Sequence, residues 1–178
     1  EAVNKYVKTT ISAIAILVVI GGVKGCATAD VVGSHLLKQV LKPDPTVIQA
    51  TVKVATDVNP DSRGRPSPVK TRFYLLESAS VFKNADFFQL KRQDRELLSG
   101  DVKLREEMVF KPGQQEPVEL SLPPDETPED GKLYLAVMVG YWDIDRSQWR
   151  VVREVEVQET TEVLIGIDRS DVSIRVLD

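Results

Sequence analysis

A two-residue alternation of apolar and polar side chains begins after Pro45 and runs almost to the C-terminus. Ile48, Ala50, Val52 and Val54 alternate with Gln49, Thr51 and Lys53, and Val69, Thr71, Phe73 and Leu75 with Lys70, Arg72 and Tyr74. The pattern recurs at Val118–Leu122, along Leu133, Leu135, Val137, Val139 and Tyr141, at Val163–Ile167 and at Val172–Val176. Further segments at Val102–Phe110 and Trp149–Val157 bring the expected total to about eight strands. Successive side chains of a strand point to opposite faces, so this spacing buries one face of each strand. Such strands, separated by turn signals like Lys111-Pro112-Gly113-Gln114, predict a mostly β chain folded as a two-sheet β-sandwich. Gly166, inside a strand segment, predicts a bulge or a close backbone approach.

Two segments interrupt the alternation. Asp57–Pro68 reads as a long loop of about a dozen residues between strands one and two, a length that in a compact domain points to function. Ser80–Gln93 instead shows helical spacing through Val81, Phe82, Ala85, Phe88 and Leu90, with Ser78 or Ser80 as the cap. This predicts a helical segment inserted between strands two and three. Aromatics at helical spacing are mostly core, so Phe87-Phe88 is read as docking on the sandwich rather than as a partner-binding patch. Trp142 and Trp149 flank one hairpin and are placed for a cross-strand pair, with core and interface roles both open.

Ahead of the sandwich, Lys5 and Lys8 precede the apolar run Ile11–Ile20, followed by Gly21, Gly22, Val23, Lys24, Gly25 and the only cysteine, Cys26. That order is the anatomy of a secretory signal peptide. Val23-Lys24-Gly25-Cys26 resembles a bacterial lipobox, in which the cysteine thiol is acylated and becomes the N-terminus after cleavage; Lys24 departs from the small residue usual there. The alternative is an uncleaved anchor, but Thr9–Val23 falls short of the roughly 20 residues needed to cross a bilayer. The expected organisation is therefore a lipoprotein signal peptide at 1–25, a lipidated N-terminus and tether at 26–45, and a β-sandwich at 46–178. Within the tether, Val32, Leu36 and Val40, or Leu37 and Leu41, are spaced for a short amphipathic helix, and Pro43-Asp44-Pro45 then resists regular structure and marks the entry to the folded domain.

The chain carries a net charge of −4, and residues 1–25 hold Glu1 against Lys5, Lys8 and Lys24, leaving −6 on the remainder. That balance argues against a nucleic-acid surface, which needs clustered Lys and Arg. It also gives no electrostatic reason to sit on anionic lipid, so the acyl group is the expected membrane tether. Signs of catalysis are sparse: His35 lies in the tether, without a serine or cysteine motif to serve. No glycine-rich phosphate loop precedes a helix. Asp143-x-Asp145 lacks the further ligands of a calcium loop and is read as a solvated turn. The expectation is a chain that is not an enzyme, with no cofactor, no metal site and no small-molecule substrate.

Several segments, in order and behind the lipobox cysteine, together resemble one family. They are Gly64-Arg65-Pro66-Ser67-Pro68-Val69, Arg72-Phe73-Tyr74-Leu75-Leu76, Ala79 through Leu90 with its Ala-Asp-Phe-Phe-x-Leu motif, Phe110-Lys111-Pro112-Gly113, and Tyr141 through Arg150. The set looks like the type VI secretion lipoproteins of the TssJ family. The resemblance implies a transthyretin-like β-sandwich with helical and loop insertions. It further implies a lipid anchor in the outer membrane, facing the periplasm, and binding to the periplasmic C-terminal region of TssM, the IcmF-like inner-membrane protein. The family's partner-contacting loop maps onto Asn59, Pro60, Asp61, Ser62, Arg63, Gly64, Arg65 and Pro66. Proline there limits unfolded freedom, and Arg63 and Arg65 are candidates to meet partner carboxylates. The competing reading is a periplasmic transthyretin-like small-ligand carrier or hydrolase, since fold alone does not decide function.

Overall fold

Each alternating segment forms a strand in the computed structural model, which describes residues 43–128 and 131–177. Cys26, His35, and the signal peptide and tether helix expected from the sequence all lie outside the described residues. The strands are β1 (Thr46–Val54), β2 (Val69–Leu76), β3 (Val102–Phe110), β4 (Gln115–Leu122), β5 (Leu133–Gly140), β6 (Arg150–Val155), β7 (Thr160–Ile167) and β8 (Val172–Val176). They build two four-stranded sheets, one in the order β4-β1-β7-β8 and the other β3-β2-β5-β6. Only β1 and β7 run parallel; the remaining neighbours are antiparallel. The sequence expectation of a two-sheet sandwich of about eight strands is met.

The register aligns apolar residues across each sheet. Ala50 faces Val118 on one side and Val163 on the other, while Phe73 faces Val137 and Leu75 faces Leu135. These inward residues, with Ile48, Val52, Leu120, Ile165 and Phe110, form one buried core between the sheets. Pro117 is tolerated because β4 is an edge strand, where its missing N–H breaks no ladder. At Gly166 an added Cβ would stand 2.9 Å from Ser173 Oγ on the neighbouring strand, a close approach that a shift of the serine side chain would have to relieve.

Alternation fails where β2 and β5 become continuously apolar, at Phe73-Tyr74-Leu75-Leu76 and Leu135 through Val139. Both faces of these strands are covered, as continuous runs predict. The outer face is roofed by two helices, α1 (Ser80–Asn84) and α2 (Phe87–Leu97). Tyr74, Leu76, Ala136 and Met138 from the sheet pack there with Phe82, Phe87, Leu90 and Leu98 as a second core.

The insertion is therefore two helices rather than the single one expected over Ser80–Gln93. The chain turns extended at Ala85 and Asp86, and Asp86 caps α2. Its Oδ1 accepts the Gln89 N–H at 2.9 Å while Gln89 Oε1 accepts the Asp86 N–H at 3.3 Å, a reciprocal capping box. Neither Ser78 nor Ser80 is an N-cap residue: α1 starts after Ala79, although Ser78 Oγ accepts the N–H of Ser80, its first residue, at 3.2 Å. Local periodicity carries across such a break because both helices present their apolar residues to the same sheet.

Candidate functional site

The sandwich end reached by β1 carries the long loop, residues 55–68, and two partners for it. Ala55 continues the sheet by donating to Ile167 O, and Asn59 N donates to Arg169 O, both at 2.9 Å. Asn59 is only 6% exposed and holds φ of +49°, a left-handed conformation that asparagine tolerates better than most residues. Its Nδ2 donates to Pro68 O at 3.0 Å, and its Oδ1 accepts the Trp142 N–H at 2.6 Å. The loop base is thus tied to the β5–β6 connection. Tyr141 ties that connection to the β7–β8 turn by donating its hydroxyl to Asp171 O at 2.6 Å. Burial, and then the nearby Asp171 and Asp168 carboxylates, push the Tyr141 hydroxyl well above the usual phenol range, so it stays a donor.

The loop tip is built around one carboxylate. Asp61 Oδ1 accepts the N–H groups of Arg63 (2.8 Å) and Arg65 (3.0 Å), and Oδ2 accepts both Nε (2.8 Å) and NH2 (2.7 Å) of Arg65. The fork from Arg65 and the two backbone donors hold this carboxyl below the usual range. Gly64 closes the turn at φ +77°, where a side chain would be strained. Ser62 through Pro66 are exposed, Pro60 and Asp61 are half-buried, and Asn59 is inside. The expected loop residues are therefore brought together, but in different capacities. Asn59 anchors, Asp61 shapes, and Arg65 is already paired internally, while the Arg63 guanidinium has no partner among the described residues.

Two surface concavities flank Trp142, which is 69% exposed. One is bounded by Pro60, Asp61, Gly64, Asp143, Arg146 and Arg169, the other by Lys70, Phe88, Lys91, Gly140 and Ile144. The second has a volume of about 490 Å³. The expected Trp142–Trp149 pair is absent: Trp149 turns under α2 to meet Phe87 edge-to-face at 5.3 Å, and the Arg150 guanidinium lies over the Trp149 ring at 4.5 Å. Phe87 is buried as expected, whereas Phe88 is 49% exposed. Sequence reasoning missed that Phe88 and Trp142 line the same concavity, because they lie on a helix and a turn more than fifty residues apart. Asp143 lies in an exposed turn 3.9 Å from Arg146, and no group of three or more potential metal ligands occurs among the described residues.

A charge network clamps α2 beneath this surface. Asp94 accepts from Tyr74 OH and Arg105 Nε, both at 2.7 Å, and lies 3.1 Å from Arg72. Arg72 also donates to Glu107 at 2.7 Å and to the carbonyls of Leu90 and Lys91 on the N-terminal side of a kink at Gln93. Burial works to raise the Asp94 carboxyl, but hydrogen bonds from Arg105 and Tyr74 outweigh it and leave it lowered. The clamp holds the α2 backbone at Leu90 and Lys91, in the turn that also carries Phe88.

A family model described as type VI secretion lipoprotein, VasD, EvfM, TssJ matches residues 46–170. Among solved structures, the T6SS lipoprotein TssJ1 from Pseudomonas aeruginosa superposes with a TM-score of 0.65 at 28% identity, over 76% of this chain and 98% of that one. Serratia marcescens Lip, a membrane-bound component of the type VI secretion system, gives 0.62 at 20% identity, over 74% and 97%. A structure of the T6SS protein TssM C-terminal domain from EAEC contains a chain matching at 0.59 and 24% identity, over 72% of this chain and 99% of that one. The last two likenesses bear on fold alone. No curated protein sequence matches the chain. No described helix is long and apolar enough to cross a membrane.

Proposed function

The chain belongs to the type VI secretion lipoprotein family, and from that premise we propose that it anchors the secretion apparatus by protein–protein contact. In this reading Cys26 carries the lipid, residues 1–25 are removed, residues 26–45 form the tether, and the sandwich hangs from the outer membrane into the periplasm. The loop Asn59–Pro66 binds the periplasmic C-terminal region of TssM, the IcmF-like inner-membrane protein. The observation that carries the reading is the loop itself, whose exposed tip is preshaped by four bonds to Asp61. A preformed tip loses less conformational freedom on docking, which favours affinity. Family membership supports a structural role rather than a catalytic one.

The test is a titration of the lipidated protein in detergent against the periplasmic C-terminal region of TssM. Deleting Asp61–Arg65 leaves the sandwich folded and weakens binding; unchanged affinity rejects the loop assignment. In cells, Cys26→Ser releases the protein from the outer-membrane fraction and abolishes secretion. Normal fractionation of that variant rejects the anchor.

A further inference from the structure

We propose that the groove between the start of α2 and the Trp142 turn is a second docking site, taking an extended acidic segment of the partner that bears one large apolar side chain. The proposal rests on the protein–partner reading above and adds a second contact region to it. Phe88 on one wall and Trp142 on the other are among the few large apolar side chains left exposed on the described surface. Exposed aromatics of this size lining one groove fit the anchors that dominate binding energy at interfaces.

The charge of the groove specifies what lies between them. Its lining carries Lys70, Arg72 and Lys91 and no carboxylate, in a chain whose net charge is −4. Arg72 is spent on Glu107, Asp94 and two helix carbonyls, and Lys70 lies 2.8 Å from Glu107. Lys91 has no carboxylate partner among the described residues and sits only over the Phe87 ring, at 5.9 Å. Arg92 follows it, so Phe88, Lys91 and Arg92 occupy positions i, i+3 and i+4, an exposed face of one aromatic and two cations. An acidic segment meets that face with complementary charge, and its apolar side chain fills the space between the rings.

The path of the chain favours a protein over a lipid surface. The 42 residues preceding the described fold lead into β1 at Thr46, whereas the groove, Gly140 and Asn59 lie at the far end of that strand. Nine residues of strand separate the two ends by about 27 Å. The point where the chain enters the sandwich and the groove thus stand at opposite ends of β1, which favours a partner over the tethering bilayer as the occupant.

The experiment titrates the lipidated full chain in detergent with the periplasmic C-terminal region of TssM by calorimetry, comparing Phe88→Ser, Lys91→Glu and Trp142→Ala with the parent and with the Asp61–Arg65 deletion. All three side chains are exposed, and unfolding midpoints confirm that each variant is folded. Trp142→Ala and Lys91→Glu are expected to weaken binding at least about tenfold, and Lys91→Glu to flatten its salt dependence. Unchanged affinity in all three, with loss only in the loop deletion, overturns the groove and leaves the partner reading standing. Failure of the parent chain to bind overturns both. Sedimentation with phosphatidylglycerol vesicles that is lost in Lys91→Glu, while partner binding is unchanged, makes the face a lipid contact and also overturns the proposal.

Discussion

Asn59 Oδ1 accepts the backbone N–H of Trp142 at 2.6 Å, joining two loops 83 residues apart in the chain. The same side chain donates to Pro68 O, so one buried amide fixes both the base of the long loop and the ridge between the two concavities. Asn59→Ala removes both bonds and leaves an alanine in a left-handed backbone. The expected loss is about 2–4 kcal/mol, read from urea unfolding. Asn59→Gly relieves the backbone part and is expected to cost less; equal losses would show that φ contributes nothing.

Asp61 shapes the loop tip without supporting the core. Asp61→Ala is expected to leave the thermal midpoint unchanged while the amides of Arg63 and Arg65 lose protection in hydrogen exchange. If binding to the partner is retained while protection is lost, preshaping of the tip does not contribute to affinity.

Glu107 gives the fold an acid-sensitive clamp. Hydrogen bonds from Lys70 and then Arg72 lower its pKa from 4.5 to about 2. A carboxylate lowered in the folded state stabilises above its unfolded value, and that stability is lost as pH falls toward the folded value. Glu107→Gln is expected to cost about 1–2 kcal/mol at pH 7, after discounting for solvent screening. The gap between parent and variant should close between pH 4.5 and 2. A gap independent of pH would assign the effect to packing.

Thr71 points into the inter-sheet core, and its Oγ1 has no hydrogen-bond partner among the described residues. Thr71→Val has nearly the same shape and removes a desolvated hydroxyl, so it is expected to stabilise by about 1 kcal/mol in chemical denaturation. A lower midpoint would mean the hydroxyl meets an acceptor after all.

Much of the architecture was legible because strand periodicity is a local property. Ile48 through Val54 and Val163 through Ile167 show their buried faces in the order of their letters, since backbone geometry sends alternate side chains to opposite sides. The break in the helical insertion was harder to see. Asp86 and Gln89 do carry the spacing of a capping box, but it lies inside a continuous apolar pattern. The long loop was legible from Pro60, Pro66 and Pro68, though not the division of labour inside it. Whether Arg65 faces a partner or its own Asp61 depends on how the tip closes.

Sequence by itself determined the sandwich class, the strand faces, the helical insertion and the position of the long loop, because each follows from residues near one another in the chain. Tertiary structure alone decided that Asn59 meets Trp142, that Tyr141 meets Asp171, and that Trp149 is half-buried while Trp142 is exposed. Those outcomes follow from α2 docking on the outer face of β2 and β5 and from three loops converging at one end of the sandwich. Such contacts join residues tens of positions apart, and no local pattern encodes which of two similar side chains the packing will bury.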